Sequence, residues 1–271
     1  MIHKILLKIF AAAFVVLILS NQIYPSSYTR AKSFASSIVY AKVDDKDFSV
    51  LFHGSRQKKQ IALTFDADMT NNMKVMLEDG KINSWFNKKI IDTLIKTHTK
   101  ATLFLTGMWI ETYKKETEDL AKNSLFELGN HTYSHPSFND NCYRLQQIKS
   151  DSEKTLEITK TQKILKDITH KQNMLFRFPG WCYSAHDLNI VTKQKLQIIQ
   201  WDVVSKDAFT HDANAIISRV LNRSQNGSIV VMHLNGGPNA SSTDDALPLI
   251  IQGLKKKGFT FVTISELLSN S

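Results

Sequence analysis

The sequence predicts an α/β fold in which a parallel sheet with crossover helices closes, or nearly closes, into a (β/α) barrel of about seven strands. From about Gln60 onward, short runs rich in β-branched and aromatic residues alternate with longer stretches of helical period. The alternation contains no internal repeat, and polar residues end five of the apolar runs, as is typical of strand ends in such barrels. At 271 residues, 42% of them hydrophobic, the chain can bury one core of this size.

Each predicted strand is a short apolar run bounded by polar or turn-forming residues. In chain order the strands are IALTF (61–65), ATLFLT (101–106), LFEL (125–128), MLFRF (174–178), LQIIQW (196–201), SIVVMH (228–233) and TFVTI (260–264). The segments between them carry apolar residues at helical spacing, which predicts helices over 86–97, 110–123, 142–168, 213–222, 246–257 and 265–268. Because helices separate the strands, the strands are expected to run parallel.

The residues before Gln60 are predicted to lie outside this domain, which occupies 60–271. Residues 1–20 have the pattern of a signal peptide or membrane anchor, in which lysines precede and interrupt an apolar run that continues without charge over 9–19. The run is shorter than the ~20 apolar residues that span a bilayer, which favours a signal peptide, whereas the lack of a clear small-x-small cleavage site favours an uncleaved anchor. Residues 21–59 are predicted to form a tether or irregular arm.

The net charge of +9 and the pI near 9.4 suit a protein that works near an acidic polymer or surface, although the charge would also serve solubility alone. No basic run is interleaved with aromatic residues, so no nucleic-acid partner is expected. Membrane contact is expected only through the N-terminal segment. The chain is therefore predicted to be exported, and to lie in the periplasm, in the cell envelope or anchored to a membrane and facing outside the cytoplasm.

A histidine pair and two aspartates indicate a metal site. His131 and His135 are four residues apart, the spacing at which one helical turn would place both side chains on one face. Asp66 and Asp68 lie two residues apart at the end of a strand-like segment, so the alternation of side chains along a strand would place them on the same side. With nine histidines in the chain, the pair alone would be weak support. Two histidines and a carboxylate leave a coordination position open for water, which points to metal-assisted hydrolysis.

Polar residues end five of the apolar runs that are predicted to form strands. The C-terminal ends of barrel strands are where catalytic groups converge, so these side chains are expected to lie close together. They are Asp66 and Asp68, Asn130 and His131, Arg177, Asp202, and His233.

The chain contains two cysteines, Cys142 and Cys182. An exported chain enters an oxidising compartment, where a disulfide between them is expected. Two buried free thiols are the alternative, and metal ligation by either thiol is a third, which no Cys-x-x-Cys spacing supports.

Five motifs in order resemble those of the NodB-type polysaccharide deacetylases, carbohydrate esterase family 4. They are Thr64-Phe65-Asp66-Ala67-Asp68, His131-x-x-x-His135, Arg177-Phe178-Pro179-Gly180, Trp201-Asp202 through Asp207, and Val231-Met232-His233. The resemblance covers about 60–268 and implies a catalytic domain with a deformed (β/α) barrel of the NodB homology type. It also implies hydrolysis of N-acetyl groups from an amino-sugar polymer, with a divalent metal that is most often zinc, and with cobalt, nickel or manganese as alternatives.

The resemblance also assigns roles to individual residues. Asp66 would be the general base that activates the attacking water. The metal ligands would be Asp68, His131 and His135.

The remaining roles fall on the later motifs. His233 would be the general acid that protonates the leaving amine, and the backbone N–H of Gly180 would stabilise the oxyanion. Arg177 would pair with an aspartate of the fourth motif, either Asp207 or Asp202, and orient the base.

The first, third and fourth motifs depart from the family pattern, the third because Arg177-Phe178-Pro179-Gly180-Trp181 is a compressed form of the usual motif. Ala67 separates two carboxylates that are usually adjacent, so either a one-residue bulge brings Asp68 to the metal or Ala67 occupies the ligand position; the bulge is favoured. Met69 and Thr70, which replace a Gly-Pro pair, do not begin an obvious helix. In the fourth motif, an alanine follows Asp207 where an aromatic residue is typical.

Export, basic charge and the resemblance together favour peptidoglycan as the substrate. Tyr133 and Trp181, with Trp109 and Phe209, are candidates for stacking on sugar rings, and ordinary packing is the alternative for each. Other poly-N-acetylglucosamine or chitin-type polymers, a non-sugar amide, and a glycan-binding envelope protein with a degraded site remain alternative interpretations.

Overall fold

One curved sheet organises the residues that the computed structural model describes, which are 38–43, 46–139 and 142–269. The strands are β1 Ile38–Val43, β2 Lys46–Leu51, β3 Gln60–Ala67, β4 Ala101–Leu105, β5 Phe126–Asn130, β6 Leu175–Phe176, β7 Gln197–Ile199, β8 Val203–Val204, β9 Ser228–His233 and β10 Thr260–Phe261. The helices are α1 Asn71–Glu78, α2 Lys88–Lys96, α3 Gly107–Thr112, α4 Lys114–Lys122, α5 Asp151–Thr169, α6 Ala185–Lys193, α7 Ala213–Arg223, α8 Thr243–Lys256 and α9 Ile264–Ser269.

The strand order is β1-β2-β7-β6-β5-β4-β3-β9-β8, and β10 also pairs with β3. Every pairing is parallel except that of β1 with β2. The sheet curls with helices around it, and the predicted deformed barrel of the α/β class is confirmed. All seven predicted strands are present, and β1, β2 and β8 extend the sheet beyond them.

The central strands are buried because helices cover the outer side of the sheet. All but the first residue of β3, all of β4 and all but the last residue of β9 are buried. Strands covered on both faces are continuous apolar runs rather than alternating ones, which is why they were visible in the sequence. Since these strands are parallel neighbours, their C-terminal ends lie at one edge, where Asp66 pairs in register with His233.

Local capping accounts for most differences from the predicted helices. The pattern after Met69 predicts no helix, but the Thr70 side chain accepts a hydrogen bond from Met73 N–H and begins α1. A capping box of Ser150 and Glu153 begins α5, so this helix starts nine residues later than predicted at residue 142. A similar box at Ser184 begins α6, which was not predicted.

Part of the prediction for the N-terminal region is wrong, and part lies outside the described residues. The irregular arm predicted over 21–59 contains β1 and β2, and β2 joins the sheet by pairing Val50 with Ile198 of β7. The signal peptide or anchor at residues 1–20 lies outside the described residues. Among the residues described, none of the helices combines the length and apolarity needed to cross a bilayer.

Candidate metal and catalytic site

Asp68, His131 and His135 meet at the C-terminal edge of the sheet. Asp68 Oδ1 lies 3.5 Å from His131 Nε2 and 3.3 Å from His135 Nε2, and one ligand atom from each residue lies within 4.8 Å of the others. Asp68 follows β3 and His131 follows β5, so the parallel sheet itself brings the two segments to the same edge. The three predicted ligands therefore converge.

This cluster fits a divalent metal by its donor chemistry. Asp68 Oδ1 is buried and has no hydrogen-bond partner among the described residues, so a cation would satisfy it. His131 Nδ1 donates to the carbonyl of Arg177 at 2.9 Å, which leaves Nε2 free to face the cluster. One carboxylate and two imidazoles are a common set for zinc with an open coordination position.

The protonation states also suit metal binding. Burial lowers the pKa of His135 to about 4, so its imidazole is neutral near pH 7. Burial acts to raise the pKa of Asp68, but the neighbouring His135, His131 and His233 hold that pKa well below its usual range. The cluster thus presents an ionised carboxylate and a neutral imidazole, the forms that ligate metals.

Asp68 reaches the cluster without a bulge. The pairing of β3 is one-to-one with β4 as far as Ala67 and with β9 as far as Asp66, and Asp68 is the first residue after the strand ends. The predicted bulge is therefore wrong. Alternation along the chain still places both aspartates near His131, since Asp66 Oδ2 lies 3.7 Å from His131 Nε2.

The two histidines lie on a tight turn, not on the helical turn that their spacing suggested. Thr132 and His135 both have positive φ, 69° and 59°, a conformation that costs a non-glycine residue about 1–3 kcal/mol. Glu157 of α5 offsets this cost, because its carboxylate accepts hydrogen bonds from the N–H groups of Tyr133 and Ser134 and from Ser134 Oγ, each at 2.8 Å.

Arg177 lies fully buried inside the barrel and pairs with Asp66. Its Nη1 donates to Asp66 Oδ1 at 2.7 Å and to Thr64 Oγ1 at 2.8 Å, and its guanidinium lies 4.0 Å from the ring centre of Phe104. The prediction that Arg177 pairs with Asp202 or Asp207 is wrong, because its side chain, which follows β6, extends across the interior to Asp66 of β3.

Asp207 and Asp202 have other partners. Asp207 Oδ1 accepts a hydrogen bond from His233 Nδ1 at 2.9 Å, and Asp207 Oδ2 accepts one from His233 N–H at 2.7 Å and one from Thr243 Oγ1 at 2.8 Å. Asp202 forms an ion pair with Arg56 at 2.7 Å, at the rim of the fold.

Asp207 controls the charge of His233. Burial alone would lower the pKa of His233, but the charge of Asp207 and its hydrogen bond, with Asp68 and Asp66 nearby, raise it to about 10. His233 Nε2 lies 4.0 Å from Asp68 Oδ2, so the protonated ring faces the three candidate metal ligands.

A cavity of about 540 Å³ opens above these groups. Gly180, Trp181 and Phe209 line it, and Gly180 adopts a left-handed φ of 58° in the turn that presents Trp181. Tyr133, predicted to contact substrate, does not line this cavity; its hydroxyl donates to Glu111 at 2.7 Å and its ring lies 3.3 Å below Lys160 Nζ.

Trp109, the fourth candidate for stacking, is fully buried in the core, where its Nε1 donates to the carbonyl of Trp85. Two aromatic residues that the sequence did not single out as binding residues, Tyr143 and Trp201, line the cavity instead. The sequence offered one signal for each of these residues: Tyr143 follows Cys142, and Trp201 begins the fourth motif.

A disulfide joins Cys142 and Cys182, whose Cα atoms are 5.9 Å apart. It ties the segment that carries Tyr143 to the turn that carries Trp181, and the Tyr143 ring lies 5.6 Å from that of Phe209. The cross-link therefore holds one aromatic wall of the cavity together.

Comparison with known proteins decides the family. The sequence model for polysaccharide deacetylases matches residues 53–199. The chain belongs to the polysaccharide deacetylase family. A peptidoglycan-N-acetylglucosamine deacetylase of Bacillus cereus is 32% identical over 224 residues, which cover 83% of this chain and 74% of that protein. The PgdA peptidoglycan-N-acetylglucosamine deacetylase of Listeria monocytogenes is 31% identical over 216 residues, 79% of this chain but only 40% of that longer protein.

Solved structures of family members agree. The Bc1960 peptidoglycan N-acetylglucosamine deacetylase superposes with a TM-score of 0.69 at 30% identity, over 83% of this chain and 94% of that chain. BA3943, a CE4 family pseudoenzyme from Bacillus anthracis, superposes with a TM-score of 0.66 at 25% identity, over 83% and 70%. The resemblance to carbohydrate esterase family 4 is thus confirmed. Because BA3943 is a pseudoenzyme, membership of the family does not by itself establish activity, and the catalytic groups of this chain have to be assessed one by one.

Proposed function

We propose that this protein removes N-acetyl groups from the amino sugars of peptidoglycan and releases acetate. The observation that carries the proposal is the meeting of three units in one cavity: the Asp68–His131–His135 cluster, the Asp66–Arg177 pair and the Asp207–His233 pair. A ligand set, a base and an acid are the parts that metal-assisted amide hydrolysis needs.

Asp68, His131 and His135 are the proposed ligands of a divalent ion, zinc first, with cobalt, nickel and manganese as alternatives. Such an ion supplies Lewis acidity toward the acetamide carbonyl and makes water a nucleophile near neutral pH. The proposed roles of the other residues are the same for each of these metals.

Asp66 is the proposed general base. Asp66 Oδ1 is held by Arg177 at 2.7 Å, and Asp66 Oδ2 lies 3.7 Å from His131 Nε2, so the second oxygen is directed toward the ligand cluster, where it can accept a proton from water. Gly180 also lines the cavity, and its backbone N–H is the proposed donor to the oxyanion.

His233 is the proposed general acid. Asp207 orients the ring through Nδ1 and keeps it protonated, so Nε2 can deliver a proton to the departing sugar amine. The amine must be protonated as the C–N bond breaks, because an amide anion is a very poor leaving group.

Peptidoglycan is proposed for three reasons. The relatives from Bacillus cereus and Listeria monocytogenes are peptidoglycan-N-acetylglucosamine deacetylases, and a net charge of +9 favours an acidic polymer. Trp181 and Phe209 expose ring surface beside the cavity, 41% and 64% of each residue, which suits stacking on pyranose rings. We further propose that residues 1–20 direct export, and that any membrane contact is made by them.

The test is acetate release by the full chain from purified peptidoglycan and from chitooligosaccharides, with chelator and with Zn²⁺ or Co²⁺ added back. Release from peptidoglycan that needs metal and that is lost in Asp66→Asn supports the proposal. Mass spectrometry of digested product then identifies the sugar that lost its acetyl group. Bound metal without release from either polymer would instead favour a glycan-binding protein or the hydrolysis of a different amide.

A further inference from the structure

Asn235 is a buried residue two positions beyond His233, and its side chain binds the backbone of Asp68. The N–H of Asp68 donates to Asn235 Oδ1 at 2.9 Å, and Asn235 Nδ2 donates to the carbonyl of Asp68 at 2.7 Å. Both polar groups of one peptide residue are therefore bound by a single carboxamide, in the manner of a neighbouring strand.

Asp68 needs such a partner because it lies beyond the backbone hydrogen bonds that join β3 to β4 and β9. On one side, the carbonyl of Asp66 accepts from Leu234 N–H at 2.8 Å, and on the other the carbonyl of Ala67 accepts from Thr106 N–H at 3.2 Å. At Asp68 the two hydrogen bonds come from a side chain instead.

The Asp68 carboxylate cannot supply its own anchor. Its Oδ1, the oxygen nearest both histidines, is buried without a hydrogen-bond partner in the described part of the chain. Its position therefore depends on the backbone that carries it.

Asn235 is itself held in place. Its Nδ2 also donates to the carbonyl of Trp85 at 3.3 Å, and Trp85 is buried, with its own Nε1 bonded to the carbonyl of Met73 at 2.8 Å. The carboxamide thus links Asp68 to a fixed point in the core, and Asn235 is only 1% exposed.

We infer that Asn235 is a positioning residue for the metal site, which orients the backbone of Asp68 so that its carboxylate meets His131 and His135. The inference rests on the proposed function, since it assumes that this cluster binds metal. Ligand groups must be held within about 0.5 Å of their productive geometry, and loss of a supporting partner typically lowers metal affinity by about 10- to 100-fold.

The test measures the Kd of the full chain for Zn²⁺ by competition with a chromophoric chelator, and records the visible absorption of the Co²⁺ form. Asn235→Ala is expected to raise the Zn²⁺ Kd by about 10- to 100-fold and to alter the Co²⁺ spectrum. Asn235→Leu, which keeps most of the volume but neither hydrogen bond, should behave in the same way and guards against a packing defect in the alanine variant.

Asn173→Ala is the matched control. Asn173 makes the same two bonds to the backbone of Leu175, accepting from its N–H at 3.2 Å and donating to its carbonyl at 2.8 Å, next to β6 and away from the cavity. This variant should lose stability without a change in Zn²⁺ Kd.

The outcomes are distinct. If the unaltered chain binds no metal, the proposed function fails. If it binds metal and the Asn235 variants bind equally well, or if both Asn235 variants fail to fold, then Asn235 has only a structural role and the inference is overturned.

Discussion

His135 and His233 lie in the same cavity, and their pKa values move in opposite directions. Burial dominates at His135 and lowers its pKa to about 4. At His233 the same burial is overcome, chiefly by Asp207, and the pKa rises to about 10. The two histidines differ in the carboxylate that each one contacts. Asp207 accepts two hydrogen bonds from His233. His135 instead shares Asp68 with His131, and its Nδ1 has no partner among the described residues.

The comparison shows how one cavity supplies two kinds of histidine. A neutral imidazole has a lone pair for a metal, and an imidazolium has a proton to give. Burial alone would have made both neutral, so a dedicated carboxylate partner is what assigns the second role.

The largest expected effect comes from removing the neutral histidine. His135→Ala should abolish tight Zn²⁺ binding and lower kcat/KM by about 10³-fold or more, because several kcal/mol of charge stabilisation depend on the metal. Metal content of the purified protein and acetate release measure the two effects. Full activity in a variant without metal would refute the assignment of the cluster.

Removing the charged histidine should separate chemistry from metal binding. His233→Ala is expected to lower kcat by about 10²- to 10⁴-fold, the usual contribution of a general acid, while the Zn²⁺ Kd changes little. Parallel kinetics and chelator competition test this. An equal loss of metal would show that His233 is a ligand and not the acid.

Replacing the partner of His233, rather than His233 itself, should have a smaller effect, which acts mainly through the pKa of His233. Without the carboxylate, Asp207→Asn should lower that pKa, so the alkaline limb of the pH–rate profile moves to lower pH, because the acid must be protonated to act. Activity should fall by about 10-fold near pH 8 and less at lower pH.

Asp202→Asn is the matched control for that experiment. Asp202 belongs to the same sequence motif but pairs with Arg56, so the alkaline limb should stay where it is. A shift in this variant, without one in Asp207→Asn, would contradict the structure.

The smallest effect concerns the turn that carries the ligands. Glu157→Gln replaces a charged acceptor of three hydrogen bonds from Tyr133 and Ser134, and we expect the Zn²⁺ Kd to rise by about 10-fold. Glu153→Gln, on the same helix but hydrogen-bonded to Ser150 at the start of the helix, should leave the Kd unchanged. Equal values for the two variants would exclude a role for Glu157 in holding the turn.

The order and spacing of residues along the chain determined the fold class and most of the site. Buried parallel strands are continuous apolar runs, and polar residues such as Asp66, His131 and His233 lie at or just beyond their C-terminal ends, which share one edge of the sheet. The sequence pattern was therefore enough to predict the strands and the convergence of Asp68 with His131 and His135. Both depend only on the local pattern of residues and on the direction in which the strands run.

Only the tertiary structure decided which of these groups pair. Arg177 reaches Asp66 across the interior, Asp207 rather than Asp202 bonds His233, and Tyr133 turns away from the cavity. These outcomes depend on how far the sheet curls and on how deep each side chain lies, which are set by contacts between residues distant in the chain. The supporting amide of Asn235, 167 residues from Asp68, is invisible in the sequence for the same reason.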